Sequence, residues 1–335
     1  MDPTALDGLD REPHGGVFDS EVLDFSANVN PERPPGVAQQ YDLALSISRR
    51  HPSDDYSSFR AAVADYIGCN GRNVIPTAGS IQGLRLLLEV TLSPGDSVLI
   101  PTPSFGEYRR EVRMQGAHPE CVSHEEFFGA DPSRYELAIV GTPNNVTGQL
   151  VAEPALRSFA ATCYETGTPL LINEEYLDYT GTPSFAETPG VVVVRSLTNV
   201  FGLPGLRVGY LVATGALRDR LAIARPQWNL SVPGAIVGEY CLRQPEFVER
   251  TRERIAEERQ RVSDRLSKRY EVYPSDAPFL LFDTGSESVD SLLERTRSHG
   301  IIVRDARTFD GLDSHVRVAI KRPHENERLL EAIGV

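Results

Sequence analysis

Residues 169–212 read PLLINEEYLDYTGTPSFAETPGVVVVRSLTNVFGLPGLRVGYLV. Three short apolar runs stand in this stretch and two more precede it, so that the runs cover residues 97–101, 137–140, 169–172, 191–194 and 208–212. Each run is continuously apolar rather than alternating, which is typical of strands covered on both faces of a parallel sheet. The stretch therefore predicts a buried, mainly parallel sheet.

Helix-like segments separate these runs. Apolar residues recur at helical spacing in residues 56–67, 80–92, 107–114 and 153–164. Strands that alternate with helices indicate crossover units of an α/β fold. A long charged helix at 247–269 follows, and then a strand, a helix, two strands and a helix. We predict an N-terminal arm with a small-domain segment at 1–50, a large domain at 51–245 and a small C-terminal α+β domain at 246–335.

Composition excludes several classes of function. The formal net charge of −13 argues against a nucleic-acid partner, because such partners require a clustered basic face. No segment approaches the roughly 18 consecutive apolar residues of a membrane span, and the N-terminus lacks the layout of a secretory signal, so we expect a cytoplasmic protein without membrane contact. The 4 cysteines form no CxxC pair and the histidines form no HExxH motif, so no metal site is expected.

The start of one helix gives the first functional signal. Thr77-Ala78-Gly79-Ser80 precedes an amphipathic segment, and such a start is either a simple helix cap or a cup for an anion. The motif alone does not decide between the two. Further motifs follow it in order: PSF at 103–105, TPNNVTG at 142–148, NEEY at 173–176, and RSLTN at 195–199 continuing to GLRVGY at 205–210.

Together these motifs resemble the fold-type-I aminotransferase family over nearly the whole chain. The resemblance implies an aspartate-aminotransferase-like three-layer large domain, pyridoxal 5'-phosphate (PLP) as cofactor, and an active site built across a dimer interface. Two branches match, histidinol-phosphate aminotransferase and the threonine-phosphate decarboxylase of cobalamin biosynthesis. The segments HGG at 14–16, LDFSANVNP at 23–31 and SFGEY at 104–108 favour the decarboxylase branch, which acts on O-phosphothreonine.

The resemblance also implies roles for individual residues. The phosphate of the cofactor would be held by Gly79, Ser80, Ser196 and Arg207. Phe105 would stack on the pyridine ring, and Asn145 and Tyr176 would hydrogen-bond its phenolic oxygen. Asn30, Arg304 and Arg317 would bind the substrate, because the planar fork of arginine suits carboxylate and phosphate groups.

The sequence departs from the family at the residues that touch the cofactor ring. Asn199 replaces the lysine that forms an imine with the cofactor, and a carboxamide lacks a nucleophilic lone pair. Lys268 and Lys321 are the only lysines, and neither is near this motif in the sequence. Asn173 replaces the aspartate that keeps the ring nitrogen protonated. A buried opposite charge favours the protonated ring by roughly 1.4 to 4 kcal/mol, and a neutral asparagine loses most of this preference.

Glu175 is a third departure, at a position where the family has a small residue beneath the ring. A carboxylate there is desolvated or crowds the ring, at a cost of several kcal/mol unless it is paired. Two milder departures are Val146 at a proline position and His51 at the position of a tyrosine that reaches the neighbouring subunit's phosphate. Binding of PLP by this chain is therefore in question, and a covalent adduct is not expected.

Two hypotheses from different classes follow. The chain is either an enzyme of the decarboxylase or transaminase type that uses PLP non-covalently, or a non-catalytic relative. The relative would bind a small phosphorylated, amino-acid-like ligand as a homodimer, or would pair with a lysine-bearing paralogue. We favour the non-catalytic relative, because three losses fall on the ring contacts while the phosphate and carboxylate contacts remain.

Overall fold

The computed structural model describes residues 1–19 and 21–335. The strands are β1 Leu23–Asp24, β2 Val74–Thr77, β3 Ser97–Thr102, β4 His118–Ser123, β5 Leu137–Gly141, β6 Leu170–Asn173, β7 Val191–Ser196, β8 Gly209–Val212, β9 Glu271–Val272, β10 Phe279–Asp283, β11 Ile301–Ile302, β12 Arg304–Asp305 and β13 His315–Ala319. The α-helices are α1 Val37–Ile47, α2 Ser57–Ile67, α3 Ser80–Thr91, α4 Gly106–Met114, α5 His124–Gly129, α6 Glu153–Thr166, α7 Gly215–Ala224, α8 Val232–Leu242, α9 Pro245–Leu266, α10 Val289–Ser298 and α11 Pro323–Ile333.

The large sheet of the described chain has seven strands in the order β2-β8-β7-β6-β5-β3-β4. The strands from β4 to β7 are parallel to one another, and β8 is antiparallel to both β7 and β2. The predicted mainly parallel α/β sheet is confirmed, and all five predicted strands belong to it. Prediction missed β4, which lies at an exposed edge and mixes polar with apolar residues, and β2, a buried four-residue strand that contains a proline.

The sheet has a separate hydrophobic core on each face. Successive residues of β6 alternate between the cores: Leu171 packs with α3 and α4, whereas Leu170 and Ile172 pack with α2, α6 and α8. Because the side chains of a strand point to opposite faces in turn, both faces must be covered by helices. The large part of the chain therefore has the predicted three layers, and its parallel strands end at one edge, where the loops collect.

A smaller part of the fold follows α8. Strands β12, β13, β10 and β9 form an antiparallel sheet in that order, accompanied by α9, α10 and α11. The N-terminal segment joins this part, because β1 pairs in parallel with β11 and the Ala319 N–H donates to the Phe25 carbonyl at 2.9 Å. The α+β character is as predicted, whereas the domain boundaries at 50/51 and 245/246 remain predictions. Within residues 1–19 and 21–335, no helix combines the length and the apolar composition that crossing a membrane requires.

The contact between β8 and the start of α3 gives the first testable prediction. A Cβ at Gly209 would lie 2.8 Å from both the Arg195 carbonyl oxygen and the Gly79 carbonyl carbon. These are backbone atoms that cannot move independently, so Gly209→Ala should destabilise the protein by about 1–3 kcal/mol in urea unfolding. The control is Gly205→Ala, where a Cβ meets nothing within 4 Å, and its effect should stay below about 1 kcal/mol. Equal effects of both substitutions would contradict the tight contact.

Candidate active site

The carboxyl ends of the parallel strands bring the predicted site residues together. Asn145 follows β5, Asn173 ends β6 and Ser196 ends β7. A cavity of about 210 Å³ opens at this edge. Of the predicted residues it is lined by Ser80, Phe105, Asn145, Asn173, Tyr176, Asn199, Arg207, Arg304 and Arg317.

One wall of the cavity has the features of an anion cup. Helix α3 begins at Ser80, and Gly79 before it has a φ of +87°, in the left-handed region that favours glycine. The Arg207 guanidinium lies so close to Gly79 that any added Cβ would collide with its Nη2. The free N–H groups of a helix start and a guanidinium are together suited to an anion.

The buried carboxylate of Glu175 accepts hydrogen bonds from the polar groups beside this cup. Oε1 of Glu175 accepts a hydrogen bond from the Ser196 hydroxyl and another from Nδ2 of Asn199 at 2.8 Å. The Ser196 oxygen in turn accepts from the Thr198 N–H at 3.1 Å. Oε2 of Glu175 is buried and has no hydrogen-bond partner of regular geometry among the described residues. The predicted phosphate ligand Ser196 is thus engaged by a side chain of the protein itself.

Burial raises the pKa of Glu175 from 4.5 to about 6. The hydroxyls of Ser196 and Ser80 and the charge of Arg195 act in the opposite direction by stabilising the ionised form, but desolvation dominates. Arg195 is itself bound to Asp178, so Glu175 has no ion pair of its own within the described chain. The direct hydrogen bonds to this carboxylate within the described chain therefore come from neutral groups.

Asn173 belongs to a chain of neutral hydrogen bonds. Its Nδ2 donates to the Tyr108 hydroxyl at 2.8 Å, and that hydroxyl donates to Oδ1 of Asn145 at 3.0 Å. Its Oδ1 accepts from the Glu175 N–H at 3.0 Å. Tyr108 is fully buried on α4, and desolvation raises its pKa far above the usual value. Sequence reasoning gave Tyr108 no role; its place in the motif SFGEY was the available signal.

The far end of the cavity is cationic. Arg317 is 8% exposed; its Nη1 donates to the Asn145 carbonyl at 2.6 Å, while its buried Nε has no partner in the described chain. Nη2 of Arg304, which is 7% exposed, donates to the Pro13 carbonyl at 2.6 Å and to Thr308 at 2.9 Å. No acidic side chain of residues 1–19 and 21–335 forms an ion pair with either guanidinium. Burial lowers the pKa of Arg317 to about 10.

A comparison with protein families covers nearly all of these residues. Residues 20–333 match the family model described as aminotransferase class I and II. This chain belongs to that family.

Curated relatives within the family carry different activities in their names. The histidinol-phosphate aminotransferase 2 of Archaeoglobus fulgidus is 29% identical, and the alignment covers 94% of this chain and 93% of the relative. The threonine-phosphate decarboxylase of Salmonella typhimurium is 30% identical, covering 95% of this chain and 92% of the relative. Both branches predicted from the motifs are therefore among the relatives.

Solved structures of the family share the fold. The histidinol-phosphate aminotransferase of Clostridium acetobutylicum superposes with a TM-score of 0.86 at 23% identity, over 93% of this chain and 98% of that one. The L-threonine-O-3-phosphate decarboxylase of Porphyromonas gingivalis gives 0.84 at 22%, over 92% and 97% of the two chains. The histidinol-phosphate aminotransferase of Sinorhizobium meliloti gives 0.84 at 20%, over 92% and 89%, and was solved with PLP.

The residues of this site do not fit PLP as the family uses it. The side chain of Asn199 is a carboxamide that already donates a hydrogen bond to Glu175, so it cannot form an imine. The side chain of Asn173 is neutral and cannot stabilise a protonated ring nitrogen by charge. Glu175 adds a buried carboxylate whose hydrogen bond comes from Ser196, a residue expected to hold the cofactor phosphate. An anionic phosphate in the same cup would lie near a second anion, which disfavours its binding even with Arg207 beside the cup.

Gly79 and Ser196 adjoin the cavity without lining it, whereas Asn30 and His51 take part in other contacts. Nδ2 of Asn30 donates to the Val200 carbonyl at 2.8 Å, and its Oδ1 accepts from Arg254 at 2.7 Å, so both ends of the amide are engaged in holding the chain. It is Asn28 instead that donates to the Tyr176 hydroxyl, at 2.9 Å. His51 stacks on Trp228 with ring centroids 4.5 Å apart and lines a different cavity.

Two further features were missed by sequence reasoning. The N-terminal segment closes one side of the cavity, where Glu12 pairs with Arg109 at 3.4 Å and Nε2 of His14 contacts Glu107 at 2.8 Å. Lys321, distant from the lysine-position motif in the sequence, lines an adjoining cavity together with Asn199 and Tyr176. Its amine lies 5.7 Å from the Phe25 ring centre, and burial lowers its pKa.

The buried carboxylate predicts a specific pH dependence of stability. Because the pKa of Glu175 is about 6 in the folded protein and 4.5 is the ordinary value for a glutamate, the folded state binds more protons than the unfolded state between these pH values. The contribution of Glu175 to the free energy of unfolding therefore falls as the pH rises through this window. Relative to wild type, Glu175→Gln should gain about 2 kcal/mol in free energy of unfolding between about pH 4.5 and 7.5. Urea unfolding at several pH values measures this, and a difference that does not change with pH would refute it.

Proposed function

We propose that this chain is a non-catalytic member of the aminotransferase class I and II family that binds a small phosphorylated or carboxylated ligand in its cleft. The observation that carries the proposal is the pair Arg304 and Arg317, which are buried in one cavity without an acidic partner among the described residues. Buried guanidinium groups carry a desolvation cost that a bound oxyanion offsets through charge-assisted hydrogen bonds.

Loss of the family chemistry follows from the residue at the reactive position. Decarboxylation and transamination with PLP require a primary amine that attacks an aldehyde and afterwards moves protons. The nitrogen of Asn199 shares its lone pair with the carbonyl group and donates a hydrogen bond to Glu175 at 2.8 Å. Neither step is within reach of this side chain.

The relatives suggest the chemical class of the ligand. Their names include threonine phosphate and histidinol phosphate, which are both small phosphorylated amines. Arg304, Arg317 and Asn145 border the same cavity here. We propose a phosphorylated, amino-acid-like ligand, bound without a covalent cofactor.

We also propose that the chain acts as part of a dimer, with itself or with a lysine-bearing paralogue. Large apolar side chains lie exposed on α1, namely Tyr41, Leu43, Leu45 and Ile47, and Trp228 is 49% exposed. A second subunit would remove this apolar surface from water. A monomer in sedimentation of the purified chain would refute the homodimer, and the absence of a co-purifying lysine-bearing paralogue from native extracts would refute the heterodimer.

The first test of lost chemistry is the addition of PLP to the purified protein. We expect no absorption band of a protonated imine, and no adduct on the chain after borohydride reduction and mass spectrometry. The chain has 2 lysines, Lys268 and Lys321, so any adduct can be assigned to a residue. An adduct on Lys321, which lines the adjoining cavity, would overturn the proposal, whereas a trace shared equally with Lys268 indicates non-specific reaction.

A restored variant serves as the positive control. Asn173→Asp, Glu175→Ala and Asn199→Lys together return the ring-nitrogen charge, remove the buried carboxylate and supply an amine. We expect this variant to form a reducible PLP adduct at position 199. If it fails while remaining folded, the cup at Gly79 and Arg207 is not competent, and the loss of chemistry extends beyond the three positions.

The second test concerns the arginines. Titration calorimetry with O-phospho-L-threonine should detect binding to the wild type and a roughly 10- to 100-fold weaker affinity for Arg317→Gln, because a charge-assisted hydrogen bond is lost. Arg307→Gln is the matched control, since this arginine lies outside the cavity and is already paired with Asp305 and Asp290. Absence of binding to the wild type would refute the anion cleft.

A further inference from the structure

The cavity carries uncompensated charge of both signs. Glu175 lines it with a buried carboxylate, and Arg304 and Arg317 line it with guanidinium groups. These groups do not pair with each other within ion-pair distance. Arg304 and Arg317 stand on β12 and β13, whereas Glu175 follows β6 of the large sheet, so the basic and acidic groups come from separate elements.

Buried atoms without partners occur at both ends. Oε2 of Glu175 has no hydrogen-bond partner of regular geometry among residues 1–19 and 21–335, and neither does Nε of Arg317. Buried polar groups are nearly always satisfied in native proteins, so such atoms at the two ends of one cavity point to a bound group. One of the two atoms is an acceptor and the other is a donor.

Glu12 is the other glutamate that lines this cavity, and it differs in one respect. Its carboxylate pairs with Arg109 at 3.4 Å, so its charge is already compensated. Glu175 has hydrogen bonds from Ser196 and Asn199 but no basic partner in the described chain. An incoming cation is therefore stabilised most at Glu175.

We infer that Glu175 recognises the ammonium group of a zwitterionic ligand whose phosphate or carboxylate group binds Arg304 and Arg317. The inference rests on the proposed anion cleft and adds the chemistry of the ligand's other end. The amine is bound by a fixed carboxylate and stays unmodified. One ligand thereby compensates the charge at both ends of the cavity.

A matched pair of ligands tests this directly. O-phospho-L-serine and 3-phosphoglycerate share the same carboxylate and phosphate groups and differ in an ammonium group against a hydroxyl. In calorimetry at about pH 7.5 the wild type should bind phosphoserine at least about 10-fold more tightly, the typical effect of a charged hydrogen bond. Equal affinities would overturn the inference and leave the anion cleft standing.

Variants assign the selectivity to one carboxylate. Glu175→Gln should bring the ratio of the two affinities close to one while 3-phosphoglycerate still binds. Glu12→Gln removes the same charge from the same cavity and should keep the ratio. Arg317→Gln should weaken both ligands and keep the ratio as well.

The remaining outcomes separate the two proposals. If neither ligand binds the wild type, the anion cleft fails and this inference fails with it. If Glu175→Gln keeps the preference for phosphoserine, another group recognises the amine and the inference is wrong. Should Glu175→Gln unfold, Glu175→Ala provides a second measurement. It removes the same carboxylate without adding an amide and should also bring the ratio close to one, and an unchanged ratio would contradict the inference.

Discussion

The site depends on one interaction, the hydrogen bonding of the Glu175 carboxylate by Ser196 and Asn199 inside a desolvated pocket. A buried carboxylate without these donors would cost several kcal/mol. The same residue connects all three departures from the family, because its N–H donates to Asn173 at 3.0 Å and its Oε1 accepts from Asn199 at 2.8 Å. The three positions at which the sequence predicts departures from the family therefore form one hydrogen-bonded unit.

The arginine end of the cleft stands on a different part of the fold. Arg304 and Arg317 stand on β12 and β13 of the small part, and the loops after β5 to β7 stand on the large sheet. One hydrogen bond joins the two ends, from Nη1 of Arg317 to the Asn145 carbonyl at 2.6 Å. Because it uses a backbone oxygen of Asn145, a side-chain change at position 173, 175 or 199 leaves that acceptor in place. The proposed loss of the reactive amine is thus compatible with the proposed anion site at the other end of the cavity.

Much of the fold could be predicted from the sequence, because five continuous apolar runs mark strands covered on both faces. Asn145, Asn173 and Ser196 lie together at the carboxyl ends of the parallel strands β5, β6 and β7, as their motifs implied. Other features depend on side-chain direction, which spacing does not reveal. The amide of Asn30 turned out to be bonded to Val200 and Arg254, with Asn28 at Tyr176 instead, and Lys321 reaches the site region from a distant element. Glu175 was expected to need a partner, and the neutral side chains of Ser196 and Asn199 fill this role by donating hydrogen bonds.

The same network explains why a single reversal would not restore a reactive amine. A lysine at position 199 would meet Glu175, which already accepts a hydrogen bond from that position. An opposite charge at such a distance favours the protonated amine, and only the neutral amine attacks an aldehyde. The carboxylate would thus hold the new side chain in its unreactive form. Glutamate at position 175 thus opposes the reactivity of an amine at position 199, and removing the carboxylate together with supplying the amine raises the neutral fraction that attacks.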